Sequence, residues 1–167
     1  MSLNLIYDRT QTDVNTAGSI RAKYQALRDW SGLTEAEITQ LERGTLTSVT
    51  LNRVSTAVQT LAVELNAAGY AVETIPQSFA ETDIVRLSQW RQYLANVQAL
   101  RDAYYTLTET GELPDAADKL DYIGANTIEK ILADIDLLIG WMKSSYRRCG
   151  TFRAGNNAAH LPLKGSA

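Results

Sequence analysis

The sequence has very few of the residues that build disulfides, metal sites and nucleophile relays. Its 167 residues include one cysteine and one histidine. A single cysteine excludes an internal disulfide, and a single histidine leaves a histidine-based metal site without ligands. Strand-forming stretches are scarce, and no apolar run is long enough to span a bilayer of about 30 Å. These absences favour a helical protein that does not sit in a membrane.

Catalytic motifs are also missing. The chain has no G-x-S-x-G, no H-E-x-x-H and no Gly-rich phosphate loop. Asp134 and Asp136 lie two residues apart in a helical pattern, so they point to different sides and do not form a pair. Cys149 has no histidine near it in the sequence, and His160 has no second ligand beside it. We therefore expect no enzymatic activity, no metal and no cofactor.

Charge is distributed unevenly along a chain of ordinary globular composition. Hydrophobic residues make up 45% and charged residues 21%, with a net charge of −3. All nineteen acidic residues lie at or before Asp136, whereas five of the sixteen basic residues follow it. A basic C-terminal region can dock onto an acidic partner or a neighbouring copy. The alternative is that Lys143, Arg147 and Arg148 complement the negative end of a helix dipole.

The strongest helical pattern lies near the C-terminus. Apolar residues recur at steps of three and four from Ile128 to Tyr146, and Asn126 with Glu129 has the spacing of a capping box at the start. The acidic and basic residues of this stretch fall outside the apolar stripe. The pattern therefore predicts an amphipathic helix of about five turns with a polar side that carries Glu129, Lys130, Asp134 and Asp136.

Further helices are predicted upstream. Two long ones cover about 48–68, ended by a left-handed Gly69, and about 87–104. A shorter helix is framed by Thr34 with Glu37 at its start and by Gly44 just past its end. One more is predicted within 12–30. The only candidate strands are 71–75, which is closed by Pro76, and 151–153.

These elements predict a mainly α fold. We expect an antiparallel bundle of three long and one or two short helices, with a minor β element, because isolated helices of this length are marginal in water. The linker 106–121 is expected to let the last two long helices turn back on each other. Residues 1–149 then form a helical body with an extended N-terminal segment, and residues 150–167 form an extended or disordered C-terminal arm.

Four segments of the chain resemble a family of small structural proteins from the tail modules of tailed bacteriophages and prophages. The segments are LIYDRT at 5–10 with DV at 13–14, LNRV at 51–54 leading to LNAAGY at 65–70, YLANV at 93–97 with ALR at 99–101, and IEKIL at 128–132 with DID at 134–136. Two regions depart from the family pattern, 24–44 and 147–167. The resemblance implies a baseplate- or fibre-associated virion protein, made in the host cytoplasm, with no enzymatic activity.

The expected partners are other phage structural proteins and further copies of the same chain. Extended segments bury much surface per residue, so the contacts are expected at the two ends of the body. The predicted interaction residues are Tyr7, Asp8, Arg9, Arg147, Arg148, Phe152 and Arg153.

Two other functions are compatible with the sequence. The first is a cytoplasmic adaptor or chaperone that assists tail assembly without staying in the particle. The second is a small DNA-binding regulator, since 41–65 resembles the back half of a helix-turn-helix domain. The stretch between Gly32 and Glu42 has room for only one short helix, and the surrounding charge is acidic, so nucleic acid is the weaker prediction.

Overall fold

A computed structural model of the chain describes residues 3–27, 31–117 and 119–149, with side chains as far as residue 145. The described part is mainly helical and contains five helices. They are α1 (Gln11–Leu27), α2 (Glu35–Gly44), α3 (Ser48–Ala67), α4 (Leu87–Ala103) and α5 (Tyr122–Cys149). The predicted C-terminal arm, 150–167, lies outside the described residues, as does the candidate strand 151–153.

Local capping chemistry sets several of the helix ends. Thr34 and Glu37 form the predicted capping box at the start of α2, and Thr47 with Thr50 forms a second one at the start of α3. Gly69 follows α3 with a φ of 94°, in the left-handed region that favours glycine, as predicted. Gly44, expected just past the end of α2, is instead its last residue.

Helices α1 and α2 form an antiparallel hairpin. Arg43 Nε at the end of α2 donates to Asp13 Oδ1 at the start of α1, over 3.0 Å. At the other end, the Tyr24 hydroxyl donates to Glu37 Oε2 over 2.7 Å. The two helices approach so closely that a Cβ at Gly44 would lie 2.3 Å from the Asp13 carbonyl oxygen. This position therefore requires glycine for space rather than for backbone freedom.

The three long helices run in the same direction, so the antiparallel arrangement predicted for them is wrong. Arg53 of α3 pairs with Glu129 of α5, and Glu64 pairs with Lys143, so residue numbers on the two helices increase together. Segment 68–86 runs antiparallel to both α3 and α4, as the hydrogen bonds described below show. The chain must therefore return along the bundle twice, through 68–86 and 104–121.

One hydrophobic core lies between α3, α4 and α5. Most of its members sit on the predicted apolar stripes, many are less than 2% exposed, and Val72 and Phe79 of the first return segment complete it. The predicted stripe of α5 is confirmed from Ile128 to Met142, whereas the side chain of Tyr146 lies outside the described residues. Burying these side chains supplies the main stabilisation that the helices lack on their own. The largest fully buried side chains are Leu61, Leu65, Val97, Leu100, Ile128, Ile131, Leu132 and Ile139.

The first return segment is extended but is not a strand, so the minor β element predicted at 71–75 is wrong for the described residues. Its backbone is paired with asparagine side chains of the helices instead of with another strand. Asn66 donates to Val72 O and accepts from Val72 N, over 2.9 and 3.0 Å. Asn96 and Asn52 make the same two bonds to Ile75 and to Phe79. A side-chain amide thus replaces the strand partner at each point.

The directions of α3 and α4 follow from these bonds. Along α3, Asn66 near the end holds Val72, whereas Asn52 near the start holds Phe79. Along α4, Asn96 holds Ile75, whereas the earlier residue Gln89 accepts a hydrogen bond from Gln77. The segment therefore descends both helices from end to start. At their ends, the rings of Tyr70 and Tyr104 meet edge to face at 4.9 Å.

Helix α5 starts earlier than predicted. It begins at Tyr122, and Asp121 accepts a hydrogen bond from the Gly124 backbone amide over 2.7 Å, the spacing of a helix N-cap. Asn126 therefore lies inside the helix and does not cap it. The polar side expected for α5 is also wrong in part, because Glu129 and Asp134 are buried, at 2% and 5% exposed. Asp134 accepts from Thr110 and so ties the second return segment to α5.

Replacement of Gly44 by alanine should destabilise the α1–α2 hairpin. The new methyl group would meet the Asp13 carbonyl at 2.3 Å and Ala17 Cβ at 2.5 Å, and such overpacking costs about 1–3 kcal/mol. The free energy of unfolding, measured in urea by circular dichroism, gives the effect. Gly18→Ala is the matched control, because nothing lies within 4 Å of a Cβ there and alanine favours a helix interior by about 0.5–1 kcal/mol. Equal effects of the two variants would refute this packing.

The hairpin should also weaken in acid through Glu37. The Lys23 ammonium, the Thr34 backbone amide and the Tyr24 hydroxyl lower the pKa of Glu37 from 4.5 to about 2. Because the pKa is lower in the folded state, this stabilisation is present above the unfolded pKa and is lost as the pH falls through about 2.

Comparing Glu37→Gln with the wild type in urea at neutral pH and at low pH tests this. The wild type should lose more stability on acidification than the variant does. Glu35→Gln, an exposed substitution in the same turn, should keep the acid response of the wild type. A Glu37→Gln protein with an unchanged acid response would contradict the assignment.

Candidate functional site

The predicted N-terminal contact segment, residues 5–9, is docked on α5 of its own chain. Asn126 of α5 holds the Arg9 backbone at both groups: Asn126 Oδ1 accepts from Arg9 N over 3.0 Å and Nδ2 donates to Arg9 O over 2.8 Å. The Ile6 amide donates to Glu129. Leu3 and Leu5 pack against the core. The segment thus completes the body of this chain.

Two arginines and a glutamate form a buried cluster beneath this segment. The side chain of Glu129 is 3% exposed and that of Arg9 is 5% exposed, and the two form a salt bridge. Arg53 Nη2 of α3 donates to the same carboxylate oxygen, Glu129 Oε1, over 3.0 Å. Arg9 Nη1 also donates to the Ile6 carbonyl. The carboxylate thus accepts three hydrogen bonds, two from the N-terminal segment and one from α3, and so anchors that segment to the body.

A cleft of about 380 Å³ opens beside the cluster. Arg9, Glu129 and Tyr93 line it together with apolar side chains such as Val54 and Ile128. Burial and the nearby Glu129 carboxylate raise the pKa of Tyr93, so its hydroxyl stays protonated. The cleft is also lined by Lys119 and Asp121 from the end of the second return segment.

The predicted contact residues at the N-terminus have different environments. Tyr7 is 48% exposed, and Lys130 Nζ lies 5.9 Å from the centre of its ring. Asp8 is exposed and pairs with Arg43 over 2.9 Å; the Arg43 guanidinium holds the pKa of Asp8 below its usual value. Arg9 is buried and paired with Glu129 inside the chain, and its contact with a partner stays a prediction.

The predicted C-terminal contacts are beyond what the structure describes. Arg147 and Arg148 belong to α5 by their backbone, but their side chains lie outside the described residues, as does that of Cys149. Phe152, Arg153 and His160 also lie outside them. Among the described side chains, no group of three potential metal ligands comes together. Within the same residues, no helix is both long and apolar enough to cross a membrane.

A second concave surface, which we call the α2–α3 groove, is lined by α2, the α2–α3 connection, the start of α3 and part of the stretch 79–85. It has a volume of about 470 Å³. Ile38 of α2, Leu46 of the connection and Val49 of α3 stand in it at 43%, 54% and 46% exposed, and the buried Phe79 forms part of its wall. Three acidic residues also line it, Glu42, Glu81 and Asp83. Contiguous exposed apolar surface of this kind marks interaction sites.

Sequence reasoning missed the residues that organise the N-terminal site, namely Arg53, Asn126 and Glu129. One signal was present: Arg53 and Glu64 are the only charged residues within α3. A charge on a helix that packs into the core needs a partner, because an unpaired charge is costly to bury. The sequence did not show that the partner of Arg53 lies 76 residues away.

Comparison of the chain with protein-family models, with curated proteins and with solved structures finds no match.

Removal of the charge on Glu129 should release the N-terminal segment. In Glu129→Gln the buried guanidinium groups of Arg9 and Arg53 lose their counter-charge, and breaking a buried pair costs about 3–5 kcal/mol. Urea unfolding gives the loss of stability, and hydrogen exchange at the Ile6 amide reports whether the segment detaches. Glu112→Gln is the control, because Glu112 is an exposed residue of the second return segment. It should change stability by less than about 0.5 kcal/mol. An Ile6 amide that stays protected in Glu129→Gln would disprove the anchoring role.

Proposed function

We propose that this chain is a non-enzymatic structural protein of a phage particle, a tail, baseplate- or fibre-associated component that acts through protein–protein contacts. Its partners in this proposal are other phage structural proteins and further copies of itself. The resemblance of four segments to tail-module proteins supports the location in the virion. The exposed apolar surface of the α2–α3 groove supports the mode of action.

The groove is the single observation that carries the contact function. Large apolar side chains are expensive to leave in water, at about 25 cal/mol per Å² of surface. Several of them are nevertheless exposed next to one another on α2, on the connection and at the start of α3. A partner that covers this face would remove all of this surface from water at once.

The docked N-terminal segment narrows where the contacts can lie. Residues 5–9 use their backbone and Arg9 inside the body, so only the outward faces of Tyr7 and Asp8 stay available there. We therefore assign the main contacts to the groove and to the C-terminal segment, 150–167. The body of α3, α4 and α5 serves as the rigid unit that positions them, because its core is continuous.

The alternative is an adaptor or chaperone that assists tail assembly and then leaves. The same groove would serve either role. Mass spectrometry of purified particles separates the two, because a structural component is present in mature virions at a fixed ratio to the other tail proteins. An assembly factor is found only in lysates and in incomplete tails. Absence from purified virions would refute the structural role.

Deletion of residues 150–167 should abolish incorporation into particles while leaving the fold intact. The truncation starts after α5 and removes none of the described core residues. Far-ultraviolet circular dichroism should therefore keep the helical signal of the full chain. Complementation of a phage that lacks the gene, followed by mass spectrometry of the particles, measures incorporation. A truncated chain that enters particles as the full chain does would contradict the role of this segment.

A further inference from the structure

We propose that the α2–α3 groove binds the segment around Phe152 and Arg153 from a second copy of this chain. This inference rests on the proposed function only in its premise that the chain acts through protein–protein contacts. It names a second copy of the chain as the partner.

The groove has the size and lining for an aromatic side chain. Its volume of about 470 Å³ lies in the range of pockets that enclose small ligands. Ile38, Leu46 and Val49 provide exposed apolar walls, and the buried Phe79 also lines the groove. A phenylalanine buried here would gain contact with aliphatic groups and with an aromatic ring, and aromatic residues commonly anchor interfaces in this way.

The edge of the groove is acidic. Glu42, Glu81 and Asp83 line it, and none of the three forms a salt bridge with another described residue. The start of α3 also faces the groove and contributes about half a positive charge. Three carboxylates exceed this contribution, so the groove favours a basic occupant.

The sequence after Asp136 has the complementary chemistry. It contains five basic residues and no acidic residue. Phe152 is the only phenylalanine in this part of the chain, and Arg153 follows it directly, with Arg147 and Arg148 just before. An apolar anchor flanked by arginines matches an apolar groove flanked by carboxylates.

Phe152 of the same chain is too far from the groove. Lys143 pairs with Glu64, so α5 reaches the level of Glu64 and then continues for six more residues, about 9 Å, away from the start of α3. From Glu64 back to Val49 is a further distance of about 22 Å along α3. Three residues after Cys149 span at most about 11 Å. Only a second copy can place Phe152 in the groove.

This geometry makes the contact head to tail. Each copy would offer its groove to one neighbour and its C-terminal segment to another, so the contact is heterologous and leads to a ring or a filament. Under the proposed function, such a ring or filament would form part of the repeated structure of a phage tail. Self-association is a property of the isolated protein, so it is tested separately from the location in the virion.

Sedimentation velocity of the purified full-length chain over a wide range of concentration tests the proposal. We expect self-association that salt weakens, because the rim contacts are electrostatic. Phe152→Ala and Val49→Asp should each weaken it at least about tenfold, as expected for an interface anchor. Val63→Asp, a substitution at a 69% exposed apolar residue outside the groove, is the matched control and should leave it unchanged.

A charge reversal tests the polar half of the contact. Arg153→Glu and Asp83→Lys should each weaken association, and the double variant should recover part of it. A wild-type chain that stays monomeric at all concentrations, or association that survives both Phe152→Ala and Val49→Asp, would overturn the inference.

The virion experiment separates this result from the proposed function. A monomeric chain that is present in purified particles overturns only the self-contact. A chain that associates through the groove but is absent from particles overturns only the virion location.

Discussion

The fold depends on paired hydrogen bonds between asparagine side chains and the backbone of segments that cross the helices. Three long helices that run in the same direction oblige the chain to return along them, and each return leaves extended backbone without a strand partner. Asn52, Asn66 and Asn96 satisfy both the amide and the carbonyl of one residue each in the first return, and Asn126 does the same for Arg9. An amide is the side chain suited to this task, because it donates and accepts at once. A carboxylate of the same shape could only accept.

Electrostatics adds a second layer at the point where the N-terminal segment meets α3 and α5. Arg9, Arg53 and Glu129 come from three distant parts of the sequence, and all are largely withdrawn from water. Such clusters often contribute little net stability compared with an apolar core, but removing one of their charged side chains strongly destabilises the fold. Their value here is positional: in the observed register the Ile6 amide and the Arg9 guanidinium both reach the carboxylate that Arg53 of α3 also contacts. Because the segment is anchored in this way, only its outward-facing side chains are exposed.

The parts of the fold that were predictable from the sequence are those governed by neighbours along the chain. The apolar stripe of α5, the capping box of Thr34 and Glu37, and the left-handed Gly69 all follow from spacings of a few residues. The relative direction of the long helices was not predictable in this way. A linker of eighteen residues is long enough either for a turn between antiparallel helices or for an extended return to the other end of the bundle. The burial of Glu129 and Asp134 was not predictable, because helical spacing does not show that the N-terminal segment covers Glu129 and the second return segment covers Asp134. The α2–α3 groove combines residues 33–51 with 79–85, and only tertiary packing brings those stretches together.

The clamp between Arg9 and Asn126 joins residues separated by 117 positions, and this has a consequence for biosynthesis. On the ribosome, residues 3–9 emerge long before α5 is synthesised. Leu3, Leu5 and Arg9 therefore lack the side chains that they pack against while more than a hundred residues are added. The parallel order of the long helices delays core closure further, since contacts distant in sequence form slowly. During that interval the apolar side chains of Leu3 and Leu5 are exposed on the nascent polypeptide, because the core that they pack against has not yet formed.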